Sequence, residues 1–161
     1  MRFISNGILL LITFAACGQK SFDEKLHELY KGTVPLIQAE DLKKSDGEVI
    51  LLDTRTLEEF EVSHLKGAQL VDYESFNKKV VKDIPKEANI VVYCSVGYRS
   101  ERIGEKLIEM GYSNVHNLYG GIFDWKNQSK EVVNKHEIPT DSVHTYNFRW
   151  SKWLKNGVKV Y

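Results

Sequence analysis

The chain has 161 residues, 42% hydrophobic and 27% charged, with 22 basic against 22 acidic side chains, so its formal net charge is zero. That balance excludes the basic excess with which nucleic-acid binders attract a phosphate backbone, and the composition is too apolar for a disordered chain. Two cysteines are too few for a disulfide framework or a four-cysteine zinc site.

Residues 1–16 read as a signal peptide. Arg2 gives a weakly positive start, and 7–16 form an uncharged, largely apolar run. The run fits the ~7–15 residue apolar region of a secretory signal and falls short of the roughly 20 residues that span a bilayer. Ala15-Ala16-Cys17-Gly18 resembles the lipobox of bacterial lipoproteins, although Phe14 stands where that family usually has Leu. The resemblance implies a lipidated Cys17 as the first mature residue. Residues 17–32 would then serve as tether and first helix, and the protein would be membrane-anchored in the bacterial envelope, facing the periplasm. A plainly cleaved signal near the same place is the alternative.

From there the elements follow in order. Ser21 is an N-cap with Asp23 and Glu24 in the first turn, Phe22, Leu26, Leu29 and Tyr30 recur at helical spacing, and Gly32 stops the helix. Val34–Ile37 is a short run that Pro35 demotes to an edge strand. Ala39–Lys44 reads as one or two helical turns, and Val49–Leu52 as a strand covered on both faces. Thr56–Ser63 is a short helix, Gly67–Val71 a strand and Ser75–Val81 a helix. Asn89–Cys94 is the clearest strand, followed by a helix over Ser100–Met110. Asn114–Leu118 is a further strand, and Gly120-Gly121 is a backbone turn opening a helix through Trp125. Strands alternating with short helices predict an α/β fold, a parallel sheet of about five strands with helices on both faces.

The chemistry centres on Cys94. With Cys17 capped or terminal, it is the one free thiol, an unusual feature in an oxidising compartment. A buried structural cysteine is the plainer reading, but the position favours a reactive one. Cys94 ends a strand and starts Cys94-Ser95-Val96-Gly97-Tyr98-Arg99-Ser100 ahead of a helix. Ligands of parallel sheets bind beyond the carboxyl ends of the strands. A nest of loop N–H groups, a helix N-terminus and the Arg99 charge all favour a thiolate.

These residues, with others in order, resemble the rhodanese-like sulfurtransferases over residues 33–128. Leu51-Leu52-Asp53-Thr54-Arg55 is similar to the family's strand-end motif. Glu58-Glu59-Phe60 with His64-Leu65-Lys66-Gly67-Ala68 is similar to its second motif, with Ser63 in place of Gly and Leu65 in place of Ile. The loop from Cys94 to Ser100 resembles its active-site loop, and Gly120-Gly121-Ile122-Phe123-Asp124-Trp125 its closing motif. The resemblance implies a rhodanese-like fold and a Cys94 persulfide. That persulfide would form from a donor such as thiosulfate or polysulfide and be consumed by a thiol or cyanide. The N–H groups of 95–100 would stabilise the charge. Gly97 would permit the turn, and Arg99 would either attract an anionic donor or stand as a solvated helix-start arginine. Cysteine phosphatases of related fold use Cys-x5-Arg, one residue longer than the Cys94–Arg99 spacing. A non-enzymatic binding module in the envelope, using the same pocket, is the alternative function.

Other marked residues have structural explanations. Asp53 and Arg55 suit an ion pair or loop-fixing bonds more than substrate contact, and His64 a hydrogen-bonded loop histidine more than a proton donor. No cofactor or metal is called for: His27, His116, His136 and His144 lack ligand spacing. Residues 129–161 form an aromatic-rich extension in which 130–135 reads as a linker and Trp150, Trp153 and Leu154 share a helical face. Packing back onto the domain is the favoured role; docking a protein partner or covering the site is the other.

Overall fold

The computed structural model describes residues 20–42 and 48–161. The expected signal peptide and the lipobox-like residues 15–18, Cys17 among them, lie outside the described residues. Helix α1 (Phe22–Leu29) starts at a capping box: the Ser21 hydroxyl accepts the Glu24 N–H at 3.1 Å, and the Glu24 carboxylate accepts the Ser21 N–H at 2.6 Å.

Five strands make one parallel sheet in the order β1 (Leu36–Ile37), β5 (Val115–Leu118), β4 (Asn89–Tyr93), β2 (Val49–Asp53), β3 (Gln69–Leu70). The central strand β4 shows why its sequence is uniformly apolar. Val91 and Tyr93 enter a core with Leu26, Ile122 and Phe123, whereas Ile90 and Val92 enter a second core with Ile103 and Leu107. A strand sandwiched this way has no polar face, and each buried Val or Leu contributes about 1.5–3 kcal/mol. Helix α1 and α4 (Gly121–Asn127) thus cover one face and α3 (Tyr98–Glu109) the other, while α2 (Leu57–Val62) follows β2. Pro35 leaves β1 a two-residue edge strand, as expected.

Three local expectations change. The helix expected over Ser75–Val81 is a single 3-10 turn, Lys78–Val81. The Asp72 carboxylate accepts the N–H groups of Glu74 and Ser75 at 2.9 and 3.3 Å, which closes a side-chain turn in competition with a helix. The described part of Ala39–Lys44 is a turn with no α-helix. Helix α3 begins at Tyr98, two residues early, because Gly97 (φ 97°) turns the chain sharply enough to start it there.

The segment read as a linker is part of the core. Strand β6 (Val132–Val133) is buried, paired on one side with β7 (Pro139–Thr140) and on the other with His64 through bonds of 2.8 and 2.9 Å. The pairing satisfies backbone groups, and both side chains are buried, Val132 in the core with Leu26 and Phe123. Beyond them come β8 (Ser142–His144), α5 (Phe148–Ser151) and β9 (Val158–Val160), with β8 and β9 parallel. Val143, Trp153 and Leu154 join the α1–α4 core, and the Trp153 ring stacks on Phe22 at 5.5 Å. The extension therefore packs back onto the domain.

Candidate active site

The loop Cys94–Gly97 joins β4 to α3 at the carboxyl edge of the sheet. Its four carbonyls are all bonded. Those of Cys94 and Ser95 accept the Ile122 and Phe123 N–H groups at 2.9 and 3.1 Å. Val96 accepts from the Tyr30 hydroxyl at 2.7 Å, and Gly97 from the Asn117 amide at 2.9 Å. In a trans peptide the C=O and the following N–H point opposite ways, and no cis bond occurs among the described residues. Carbonyls held toward α4, α1 and β5 therefore turn the N–H groups of residues 95–98 the other way. Of these, the Gly97 N–H reaches the Cys94 sulfur, donating at 3.1 Å.

Two glycines permit this packing. A Cβ on Gly97 would lie 2.3 Å from the Tyr30 hydroxyl oxygen, and one on Gly121 (φ 55°) 2.3 Å from the Cys94 carbonyl oxygen. The Gly-Gly turn thus does more than turn: it lets the start of α4 press against the Cys94 peptide. The Tyr30 hydroxyl also accepts the Gly120 N–H at 3.0 Å. Burial holds its phenol well above its ordinary pKa, so it remains a proton donor to the loop.

Arg99 lines the cavity and is not the solvated arginine that is the alternative for it. Its guanidinium meets the Glu59 carboxylate with two bonds of 2.7 Å, and both also contact the Ser95 hydroxyl at 3.1 Å. Burial opposes both charges, but the mutual bonds and attraction prevail. Glu59 is pulled down to about 2, with Arg55 and the Thr56 N–H assisting, and Arg99 is raised above its ordinary value.

A cavity of about 300 Å³ opens over the loop. Cys94, only 1% exposed, forms part of its lining with Ser95, Val96, Tyr98 and Arg99. Leu29 of α1, Tyr73 and Glu74 after β3, and Tyr146 and Trp150 of the extension complete it. Cys94 is the free cysteine of the described residues. Ser100 is fully buried and donates to Asn117 Oδ1 at 2.7 Å, so its side chain braces the loop from behind.

Asp53, Arg55 and His64 do not line this cavity. Asp53 and Arg55 form a fully buried pair at 2.6 Å, and Arg55 donates also to the Ser63 carbonyl at 2.6 Å. His64 stacks on Phe60, with Nδ1 2.9 Å from the Phe60 carbonyl and Nε2 3.0 Å from Glu137. All three brace the chain around the site. No cluster of three or more His, Cys, Asp or Glu side chains among the described residues could hold a metal ion.

Sequence reasoning missed Tyr30, Asn117 and the Glu59–Arg99 pair as parts of the site. Tyr30 reads as an apolar helix position, and its partner Val96 is 66 residues away. A signal did exist for Glu59, since a carboxylate three residues after Thr56 marks a capping box, but nothing in the spacing joins it to Arg99.

The comparisons with known proteins agree with this geometry. The profile of the Rhodanese-like domain family matches residues 38–128. The chain is 30% identical over 145 residues to the adenylyltransferase and sulfurtransferase UBA4 of Candida albicans, a match covering 84% of this chain and 31% of that protein. It is 31% identical over 91 residues to the tRNA uridine(34) hydroxylase of Yersinia pestis, covering 53% and 26%. The chain thus spans about a third or less of these curated relatives. Among solved structures it is similar to a rhodanese-related protein from Thermoplasma volcanium, with a TM-score of 0.55, 25% identity and coverage of 62% of this chain and 97% of that one. The thiosulfate sulfurtransferase of Pseudomonas aeruginosa shares the fold, with a TM-score of 0.56 at 20% identity over 63% of this chain and 20% of that one. With the family profile matching more than half its length over the very elements that build the Cys94 loop, the chain belongs to the rhodanese-like domain family.

Proposed function

We propose that this protein is a sulfurtransferase that carries sulfane sulfur as a persulfide on Cys94. The observation that carries the reading is the Gly97 N–H, 3.1 Å from a sulfur that lines a cavity and sits in a loop whose four carbonyls are bonded elsewhere. The Cys94 thiolate attacks the outer sulfur of the donor, the donor's S–S bond breaks, and the remainder leaves with the bond's electron pair. An acceptor, a thiol or cyanide, then attacks the outer sulfur of the persulfide and restores the thiolate. Donors turned toward the sulfur stabilise negative charge at both steps without reorganising. Arg99 is a positioning residue in this scheme: tied to Glu59, it fixes Ser95 and the loop. The sulfurtransferase named among the relatives supports the reading.

Steady-state turnover of thiosulfate and cyanide to thiocyanate tests it. Parallel double-reciprocal lines, the mark of a ping-pong route, and no turnover in Cys94→Ser are expected. A stable fold that gives no thiocyanate above blank from thiosulfate or from an organic persulfide would instead favour a binding module. The lipobox-like Ala15-Ala16-Cys17-Gly18 supports placing this activity at the bacterial envelope. Metabolic labelling with a palmitate analogue, lost in Cys17→Ser, is expected; absence of label from the wild type would contradict that placement.

A further inference from the structure

The cavity over Cys94 does not match a small inorganic dianion. Thiosulfate and cyanide would leave most of its roughly 300 Å³ empty, a volume at the low end of the ~300–1,000 Å³ typical of sites for organic ligands. Its walls are apolar and aromatic: Leu29, Tyr73, Val96, Tyr98, Tyr146 and Trp150. Two charged side chains line it, Arg99 and Glu74. The Arg99 guanidinium already gives two bonds of 2.7 Å to Glu59, a residue 1% exposed. Its charge is therefore matched before any donor arrives, and Glu74 adds a carboxylate to the lining. A dianion brought here would lose its hydration with no unmatched cation to replace it.

The origin of these walls adds a second observation. Leu29, Tyr146 and Trp150 lie outside residues 38–128, the segment matched by the family. They come from opposite ends of the chain and line the same cavity as Cys94. Tyr146 is held there in a left-handed conformation (φ 64°), its N–H donating to His144 Nδ1 at 3.1 Å, with its ring 5.4 Å from the Arg99 guanidinium. A strained backbone that presents an exposed ring over a reactive sulfur is better explained by a contact made there than by packing.

We propose that this aromatic chamber selects an organic persulfide with an uncharged aromatic or branched apolar R group, reacting in its protonated form R–S–SH, as the sulfur donor to Cys94. This rests on the sulfurtransferase reading above. The step balances without an added oxidant or reductant. The Cys94 thiolate attacks the terminal sulfur and a new S–S bond forms. The donor's S–S bond breaks, and R–S⁻ leaves with its electron pair and takes up the proton that the new Cys94 persulfide releases. The R group rests against Leu29, Tyr146 and Trp150, where apolar area leaves water.

The test follows sulfur gain at Cys94 by intact mass, in single turnover, with three probes: benzyl hydropersulfide, 4-carboxybenzyl hydropersulfide and thiosulfate. The first two share a reactive group and differ in a remote carboxylate. Benzyl hydropersulfide is expected to load Cys94 about tenfold faster than either anionic probe, since burying an unpaired carboxylate against these rings is unfavourable. Tyr146→Ala is expected to remove most of that advantage. Tyr146 is 56% exposed, so the substitution opens no core cavity; a parallel thermal melt confirms that the variant is folded. Equal rates for the two benzyl probes, faster loading by thiosulfate, or an unchanged benzyl advantage in folded Tyr146→Ala would each overturn the proposal. Sulfur gain without selectivity would leave the sulfurtransferase reading standing. No sulfur gain from any probe would overturn both.

Discussion

The loop that holds Cys94 and the walls that stand over it are built on opposite plans. The loop is fixed through its backbone: four consecutive carbonyls are bonded by α4, α1 and β5, and two glycines allow contacts that any side chain would obstruct. The walls are fixed through side chains, and three of them come from outside the family's matched segment. A backbone-built loop tolerates little change, because moving one peptide moves its neighbours. A wall of side chains can be exchanged one at a time. On the proposed function the loop serves the chemistry and the walls the choice of donor, and substitutions in the two regions are predicted to differ in kind.

The largest effect falls on Glu59. In Glu59→Ala the Arg99 guanidinium stays buried without its partner, a change that costs about 3–5 kcal/mol, and urea unfolding should show it together with a collapse of sulfur transfer. The same pair makes a pH prediction. The folded Glu59 carboxyl is held near 2, below its ordinary 4.5, so its contribution is complete above about pH 4.5 and is lost as pH falls toward 2. That contribution is worth about 3 kcal/mol. The stability gap between wild type and Glu59→Gln should therefore narrow on acidification; a gap that stays constant from neutral pH to pH 2 would contradict the pairing.

Gly121→Ala comes next. Its Cβ would meet backbone, the Cys94 carbonyl oxygen, at 2.3 Å, from a left-handed position. A cost of about 2–3 kcal/mol is expected, with a loss of activity larger than the stability loss explains, because the displaced peptide carries the reactive sulfur. Tyr30→Phe removes the bond to Val96 and the acceptor for Gly120 while keeping the ring. It should cost about 1–2 kcal/mol and slow transfer without altering preference among donors. The smallest stability effect belongs to the wall: Tyr146→Ala should shift the melt by less than about 0.5 kcal/mol, as exposed positions do, yet change donor preference most. A wall variant that destabilised as much as a loop variant would erase the distinction.

The loop was legible in the sequence because its signals are local. A strand of continuous apolar residues, a cysteine, a glycine three residues on and a helix are enough to place a sulfur at the sheet edge. The Gly-Gly pair was legible as a turn, but not as the surface that presses on Cys94, since that contact joins residues 27 apart, Cys94 and Gly121. The walls were legible only as composition. For residues 129–161 the sequence offers packing and covering the site, and both occur: Trp153 and Leu154 pack in the core, although the helix ends before them at Ser151, while Tyr146 and Trp150 line the cavity with Leu29, a meeting that no spacing shows. The two valines of β6 carry no periodicity to mark them as buried; Val132 enters the α1–α4 core through contacts distant in sequence. A side-chain turn also intervenes: the Asp72 carboxylate accepts the N–H groups of Glu74 and Ser75, at the start of the segment that an apolar pattern alone would make a helix.

The central claim is that Cys94 carries sulfur, and peptide mapping by mass after exposure to a sulfane-sulfur donor tests it most directly. The account predicts one added sulfur on the peptide containing Cys94, removed by dithiothreitol or cyanide and absent from Cys94→Ser. A folded wild-type protein that gains no sulfur there, or gains as much in Cys94→Ser, would contradict it.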